Sequence, residues 1–73
     1  DIRISEDGEV IVVGRGDNGA AVINFALEEN AVELPVGLPD GEYKDIVYGT
    51  PFTVEAGILK GTAQPETTYI IVK

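Results

Sequence analysis

The chain lacks cysteine and histidine altogether, and it contains no tryptophan or methionine. Without cysteine there can be no disulfide framework, thiolate nucleophile or zinc–thiolate site. Without histidine there can be no Ser-His-Asp or Cys-His pairing, which leaves only carboxylates, lysines and tyrosines for acid–base work. The composition therefore argues against most kinds of catalytic centre.

Positive charge is also scarce, because 5 basic residues stand against 13 acidic ones and give a net charge of −8. Such a chain repels phosphate backbones and anionic lipids, so we expect neither nucleic acid nor a membrane as a partner. The longest apolar runs, such as Val10 to Val13, fall far short of the ~20 residues that a spanning helix needs. We therefore expect a soluble chain, and its compartment is left open.

The length of 73 residues is enough for one small domain only, so we predict a single domain over residues 1–73. The sequence starts at Asp1, directly inside a run that is typical of a strand. This start favours a piece cut from a longer protein.

Short β-branched runs alternate with turn residues along the whole chain, and no stretch of a dozen residues keeps the apolar period of a helix. Turn signals include Asp7-Gly8, Asn18-Gly19 and Pro39-Asp40-Gly41. The pattern predicts an all-β antiparallel sandwich, because no segment could supply crossover helices. We expect seven or eight short strands, at 2–5, 9–14, 20–25, 31–34, 42–48, 52–55, 58–60 and 67–73.

Two strands carry expectations about burial. Strict alternation puts Ala21, Ile23 and Phe25 on one face of the third strand, and we expect Phe25 to be a buried anchor. The run Val10 to Val13 is apolar on both faces, which a half-solvated strand would not need. We therefore expect one of its faces to meet a partner.

Four phrases occur in order over nearly the whole chain. They are VIVVGRGDNGAAVINF from Val10, with Arg15 before a variable turn; LPDGEYKDIVYG, with Tyr43 and Asp45; FTVEAGIL from Phe52; and a last strand around Tyr69. Together they resemble the C-terminal domain of α-amylase-family glycoside hydrolases.

The resemblance implies a Greek-key β-sandwich that follows a catalytic TIM-type barrel in an enzyme acting on α-glucans. The catalytic carboxylates of that family lie on loops of the barrel, and none of their motifs occurs here. The resemblance thus implies a non-catalytic accessory domain that packs against the barrel of its own chain and stabilises it.

Two other functions stay open. Tyr43, Tyr48 and Tyr69 could stack on sugar rings in a starch-binding or other carbohydrate-binding module, although a small core also needs such side chains. Arg15-Gly16-Asp17 could serve an unrelated adhesion domain, but the same tripeptide suits a tight turn between strands.

The remaining polar groups predict no site. Glu28-Glu29 and the pair Asp40 and Glu42 lie in turns without an apolar setting that could make one of them a general acid. Oxygen ligands at Asp17, Asn18 and Asp40 match no calcium-loop spacing. We therefore predict no catalytic, cofactor-binding or metal-binding residue.

Overall fold

Eight β-strands and no helix make up the chain in a computed structural model, which describes residues Asp1 to Lys73. A helix able to cross a membrane is accordingly not found in it. The strands are β1 (Ile2–Ile4), β2 (Val10–Gly14), β3 (Gly19–Asn24), β4 (Asn30–Pro35), β5 (Gly41–Lys44), β6 (Pro51–Glu55), β7 (Ile58–Ala63) and β8 (Thr67–Val72).

The strands form two four-stranded sheets, and every neighbouring pair is antiparallel. The first sheet has the order β1-β2-β3-β8, and the second has the order β4-β7-β6-β5. In the second sheet β5, β6 and β7 are linked in succession and β4 lies beside β7, which is a Greek-key arrangement. The predicted all-β antiparallel Greek-key sandwich is confirmed.

The core lies between the two sheets and consists of inward-facing side chains of both. Phe52 of β6 and Tyr69 of β8 meet at its centre, with ring centroids 5.4 Å apart in an edge-to-face arrangement. A Cβ atom on Gly61 would come within 2.4 Å of the Phe52 ring, so glycine makes room for that ring. The buried apolar cluster comprises Val10, Val12, Ala20, Val22, Val32, Leu38, Phe52, Val54, Leu59, Ala63, Tyr69 and Ile71.

The expectation that Phe25 is a buried anchor is wrong, because its side chain is 58% exposed. The residues of β3 that face the core are Ala20, Val22 and Asn24. Val22 lies between Val12 and Tyr69, which are both buried, and this pairing fixes the inward face of β3.

The predicted strand over 42–48 is also wrong in its second half. β5 ends at Lys44, and residues 46–48 form a turn. The reason is Asp45, whose carboxylate accepts hydrogen bonds from the backbone N–H groups of Val47 and Tyr48 and thus curls the chain. At β7 the deviation is the reverse, since this strand continues beyond Lys60 to Ala63.

Candidate interaction surface

The outward side of the first sheet is a continuous apolar surface, which we call the apolar face. Its register aligns Ile4 with Ile11 and Ile23 in one row across β1, β2 and β3. A second row runs through Ile2, Val13, Ala21 and Ile70. With Thr68 and Val72 of β8, the face comprises Ile2, Ile4, Ile11, Val13, Ala21, Ile23, Thr68, Ile70 and Val72.

None of these nine side chains is charged, and all except Thr68 are apolar. Ile2, Ile4 and Val72 are at least half exposed. A groove of about 390 Å³ lies at the end of this face next to the β2–β3 turn, where Val13, Ala21, Ile70 and Val72 line it together with Arg15 and Asn18. Contiguous apolar surface of this kind is typical of an interaction site rather than of a solvated sheet.

The outward side of the second sheet has the opposite character. One row across its four strands consists of Glu33, Lys60, Thr53 and Glu42. Glu55 on the same side forms an ion pair with Lys60, with Nζ and Oε1 3.1 Å apart. This sheet shows the apolar-in, polar-out alternation of a sheet with one solvated side. The outer side of the first sheet is therefore apolar and that of the second sheet is charged. This difference agrees with the expectation that one face of the first sheet meets a partner.

A turn between β5 and β6 extends the apolar face at the edge of β8. The backbone N–H of Ile46 donates to the carbonyl oxygen of Ile70 at 2.8 Å, which places the turn beside β8. Ile46, Val47 and Tyr48 are all more than half exposed. Three consecutive large apolar side chains are therefore presented at this border.

Asp45 fixes the conformation of that turn. Its carboxylate is buried and accepts hydrogen bonds from the N–H groups of Val47 at 3.0 Å, Tyr48 at 2.8 Å and Ile70 at 3.1 Å. Burial acts to raise the pKa of Asp45, but these backbone donors outweigh it and hold the pKa below its ordinary value. With a longer bond from the N–H of Thr50 at 3.4 Å, each oxygen of this carboxylate accepts two backbone hydrogen bonds.

The three tyrosines proposed for sugar stacking do not form one platform. Tyr43 is half buried, and its hydroxyl donates to the carbonyl oxygen of Pro39. Tyr69 is a core residue, and its hydroxyl accepts a hydrogen bond from the N–H of Gln64 at 2.8 Å. Tyr48 alone is well exposed, at 64%, although its ring lies edge-on to Tyr69 with centroids 5.7 Å apart.

The other candidate residues serve turns or lie in solvent. Arg15-Gly16-Asp17 occupies the exposed β2–β3 turn, where Gly16 has a positive φ of 62°. Oδ2 of Asp17 lies 3.9 Å from Nζ of Lys73. The carboxylate of Asp40 accepts hydrogen bonds from the N–H groups of Ala56 and Gly57 in the β6–β7 turn. No group of three or more carboxylates is placed to hold a metal ion.

These features define a small all-β domain, an antiparallel two-sheet sandwich whose first sheet has a largely apolar outer surface. The family model for the bacterial α-amylase C-terminal domain matches residues 1–67. The chain belongs to this family. A search of curated protein sequences finds no match to the chain.

Proposed function

We propose that this domain packs against the catalytic barrel of an α-amylase-type glycoside hydrolase acting on α-glucans and stabilises that barrel. The barrel belongs to the same polypeptide, and the apolar face is the surface that meets it. The domain itself contributes no catalytic residue.

The observation that carries the proposal is the difference between the two outer sheet surfaces. A domain that stood free in water would gain nothing from an uncharged outer surface on one sheet and a charged one on the other. Covering the apolar face would remove Ile2, Ile4 and Val72 from water. Because full burial of such a side chain contributes about 1.5–3 kcal/mol and these three are only about half exposed, each contributes about half of that. Membership of the bacterial α-amylase C-terminal domain family supports a barrel of the same polypeptide as the partner.

Cysteine labelling in the full polypeptide tests the proposal, because these 73 residues contain no cysteine of their own. Ala21→Cys places a thiol at the centre of the apolar face, and Thr53→Cys places one at the centre of the second sheet's outer side. We expect the thiol at position 21 to resist a maleimide reagent in the native polypeptide and to react after unfolding. The thiol at position 53 is the matched control and should react in both states.

Equal and rapid labelling of both thiols in the native polypeptide would show that the apolar face is open and would overturn the docking proposal. Because the barrel can carry cysteines, modification is read by mass spectrometry of the peptides around positions 21 and 53. The identity of the enzyme is tested separately, by release of reducing sugar from starch by the full polypeptide.

A weak contact with α-glucan is the second candidate function, and the exposed ring of Tyr48 is the observation that favours it. Stacking on successive glucose units requires a second open ring, and neither Tyr43 nor Tyr69 provides one. We therefore expect no saturable amide shift when the labelled chain is titrated with maltoheptaose to millimolar concentration, where a site worth about 4 kcal/mol would be half filled. Saturable shifts centred on Tyr48, abolished by Tyr48→Ser, would establish a carbohydrate-binding module instead.

A further inference from the structure

One end of the sandwich carries a concentration of negative charge, which we call the acidic end. It is formed by the β1–β2, β3–β4 and β7–β8 turns, which span residues 5–9, 25–29 and 64–66. The apolar face covers the outer side of the first sheet, and the acidic end lies along the border of that face where these three turns join the strands. The carboxylates of these turns are Glu6, Asp7, Glu9, Glu28, Glu29 and Glu66.

Hydrogen bonds between the three turns hold the acidic end together. The N–H of Phe25 donates to the carbonyl oxygen of Glu9 at 2.8 Å, and the N–H of Glu66 donates to the carbonyl oxygen of Ala26 at 3.0 Å. The buried side chain of Asn24 also donates to the carbonyl oxygens of Glu28 and Gln64. The backbone that carries these carboxylates is therefore fixed in the fold.

No basic residue lies among these turns. The ion pairs of the domain lie elsewhere, as Arg3 with Asp1, Lys60 with Glu55 and Lys73 with Asp17. At the opposite end of the first sheet, Arg15 and Lys73 offset Asp1 and Asp17. The charge of the domain is thus strongly polarised along the strands.

Two large apolar side chains stand within the acidic end. Phe25 is 58% exposed and Leu27 is 81% exposed. Phe25 lies directly after β3 and two residues beyond Ile23, and its hydrogen bond to Glu9 continues the β2–β3 pairing, so the apolar face reaches into the acidic border. An apolar centre with a charged rim is the usual composition of a protein interface.

We propose that the surface of the catalytic barrel next to this border carries lysine and arginine side chains, and that their attraction to the acidic end sets the orientation of the domain on the barrel. The inference rests on the proposed docking through the apolar face. An apolar surface fits many orientations about equally, whereas charges on one border only favour a single orientation. A neutral or acidic neighbour would instead leave the net negative charge of this end without a cationic partner.

Charge reversal in the full polypeptide that carries Ala21→Cys tests this inference. Glu6→Lys combined with Glu28→Lys changes two exposed side chains of the acidic end, neither of which accepts a hydrogen bond. We expect the labelling rate of the thiol at position 21 to rise about tenfold, because two attractive rim contacts become repulsive. Salt should also raise the rate in the polypeptide without the lysine changes, since ionic strength screens exposed charges.

The matched control is Glu33→Lys combined with Glu42→Lys, which makes the same change in charge on the outer side of the second sheet. It should alter the labelling rate less than twofold, because those positions face away from the proposed interface. Suppose that the thiol at position 21 is protected before any charge is changed. Equal effects of the two double variants on its labelling rate, or a labelling rate that does not respond to salt, would then overturn the inference of a basic barrel surface.

Two further outcomes also decide against the inference. Rapid labelling at position 21 before any charge is changed would overturn the docking proposal itself and this inference with it. Protection that disappears on dilution would show that a second copy of the chain, rather than the barrel, covers the apolar face.

Zero-length carbodiimide cross-linking supplies an independent readout, in which Glu6 or Glu28 should become joined to lysines of the barrel.

Discussion

The side-chain carboxylate of Asp45 accepts a hydrogen bond from the backbone N–H of Ile70 at 3.1 Å, and this bond joins the two sheets of the sandwich. Asp45 directly follows β5 at the edge of the second sheet, whereas Ile70 lies in β8 at the edge of the first. The adjacent bond from the N–H of Ile46 to the carbonyl oxygen of Ile70 runs between the same two segments. The open edge of β8 is therefore covered by the turn that Asp45 organises.

Replacing Asp45 by asparagine should destabilise the domain. The amide retains one acceptor oxygen and directs an NH₂ group towards backbone N–H donors, so at least one buried donor loses its partner. Because hydrogen bonds to a charged group contribute about 1.5–3 kcal/mol each, we expect Asp45→Asn to lower the free energy of unfolding by about 2–3 kcal/mol. Urea denaturation measures this loss, with the exposed Glu42→Gln as a control that should change little. Equal midpoints for the two variants would contradict the structural role of Asp45.

The same carboxylate should make stability depend on acidity. The pKa of Asp45 is lowered in the folded chain, so its contribution is complete above the unfolded pKa of about 3.9 and is lost as the pH falls through the folded value. The difference in unfolding free energy between the native chain and Asp45→Asn should therefore stay constant from neutral pH to about pH 5 and shrink below about pH 4. A difference that grows on acidification would have the wrong sign for this linkage.

Phenylalanine substitutions test the corrected face of β3. Phe52→Ala removes a buried ring that packs on Tyr69, and we expect it to cost about 3–5 kcal/mol. Phe25→Ala removes a ring that is already mostly in water, so its cost to the isolated domain should stay below about 0.5 kcal/mol. Thermal and urea unfolding of the two variants give the comparison. A large loss for Phe25→Ala alone would restore the sequence-based expectation.

The sequence predicted the fold class and most strands because β-branched runs and Gly-containing turns are local signals. Asn18-Gly19 lies at the start of β3, and the Asp7-Gly8 turn contains a glycine with a positive φ of 76°. The sequence alone could not decide which face of β3 is buried, because Val22 and Ile23 are both apolar. That choice is made by the neighbours Val12 and Tyr69, which come from distant parts of the chain.

The apolar face could be predicted only in part. The doubly apolar run Val10 to Val13 indicated that one face is available to a partner, but the contributions of Ile2 and Ile70 depend on the strand order β1-β2-β3-β8. Asp45 was not predicted as a buried group because an isolated carboxylate is almost never fully buried. Its burial results from the N–H of Ile70 in β8, and this long-range contact leaves no local signal.

The β6–β7 turn contains a local conflict that a single substitution should relieve. Ala56 has a φ of 53° and Gly57 a φ of 78°, so both central residues of this hairpin turn are left-handed. Two-residue turns of this kind prefer Asn-Gly, because a left-handed conformation costs an ordinary L-residue about 1–2 kcal/mol. Ala56→Asn keeps the backbone N–H that donates to Asp40 at 2.9 Å, and we expect it to stabilise the domain by about 1 kcal/mol. That gain should raise the melting temperature by about 4–8 °C.

Ala31→Asn is the matched control, because Ala31 is exposed in the extended strand β4, where asparagine is unfavourable and should give no gain. A stabilisation that Ala31→Asn reproduces, or its absence in Ala56→Asn, would show that the turn stores no such strain.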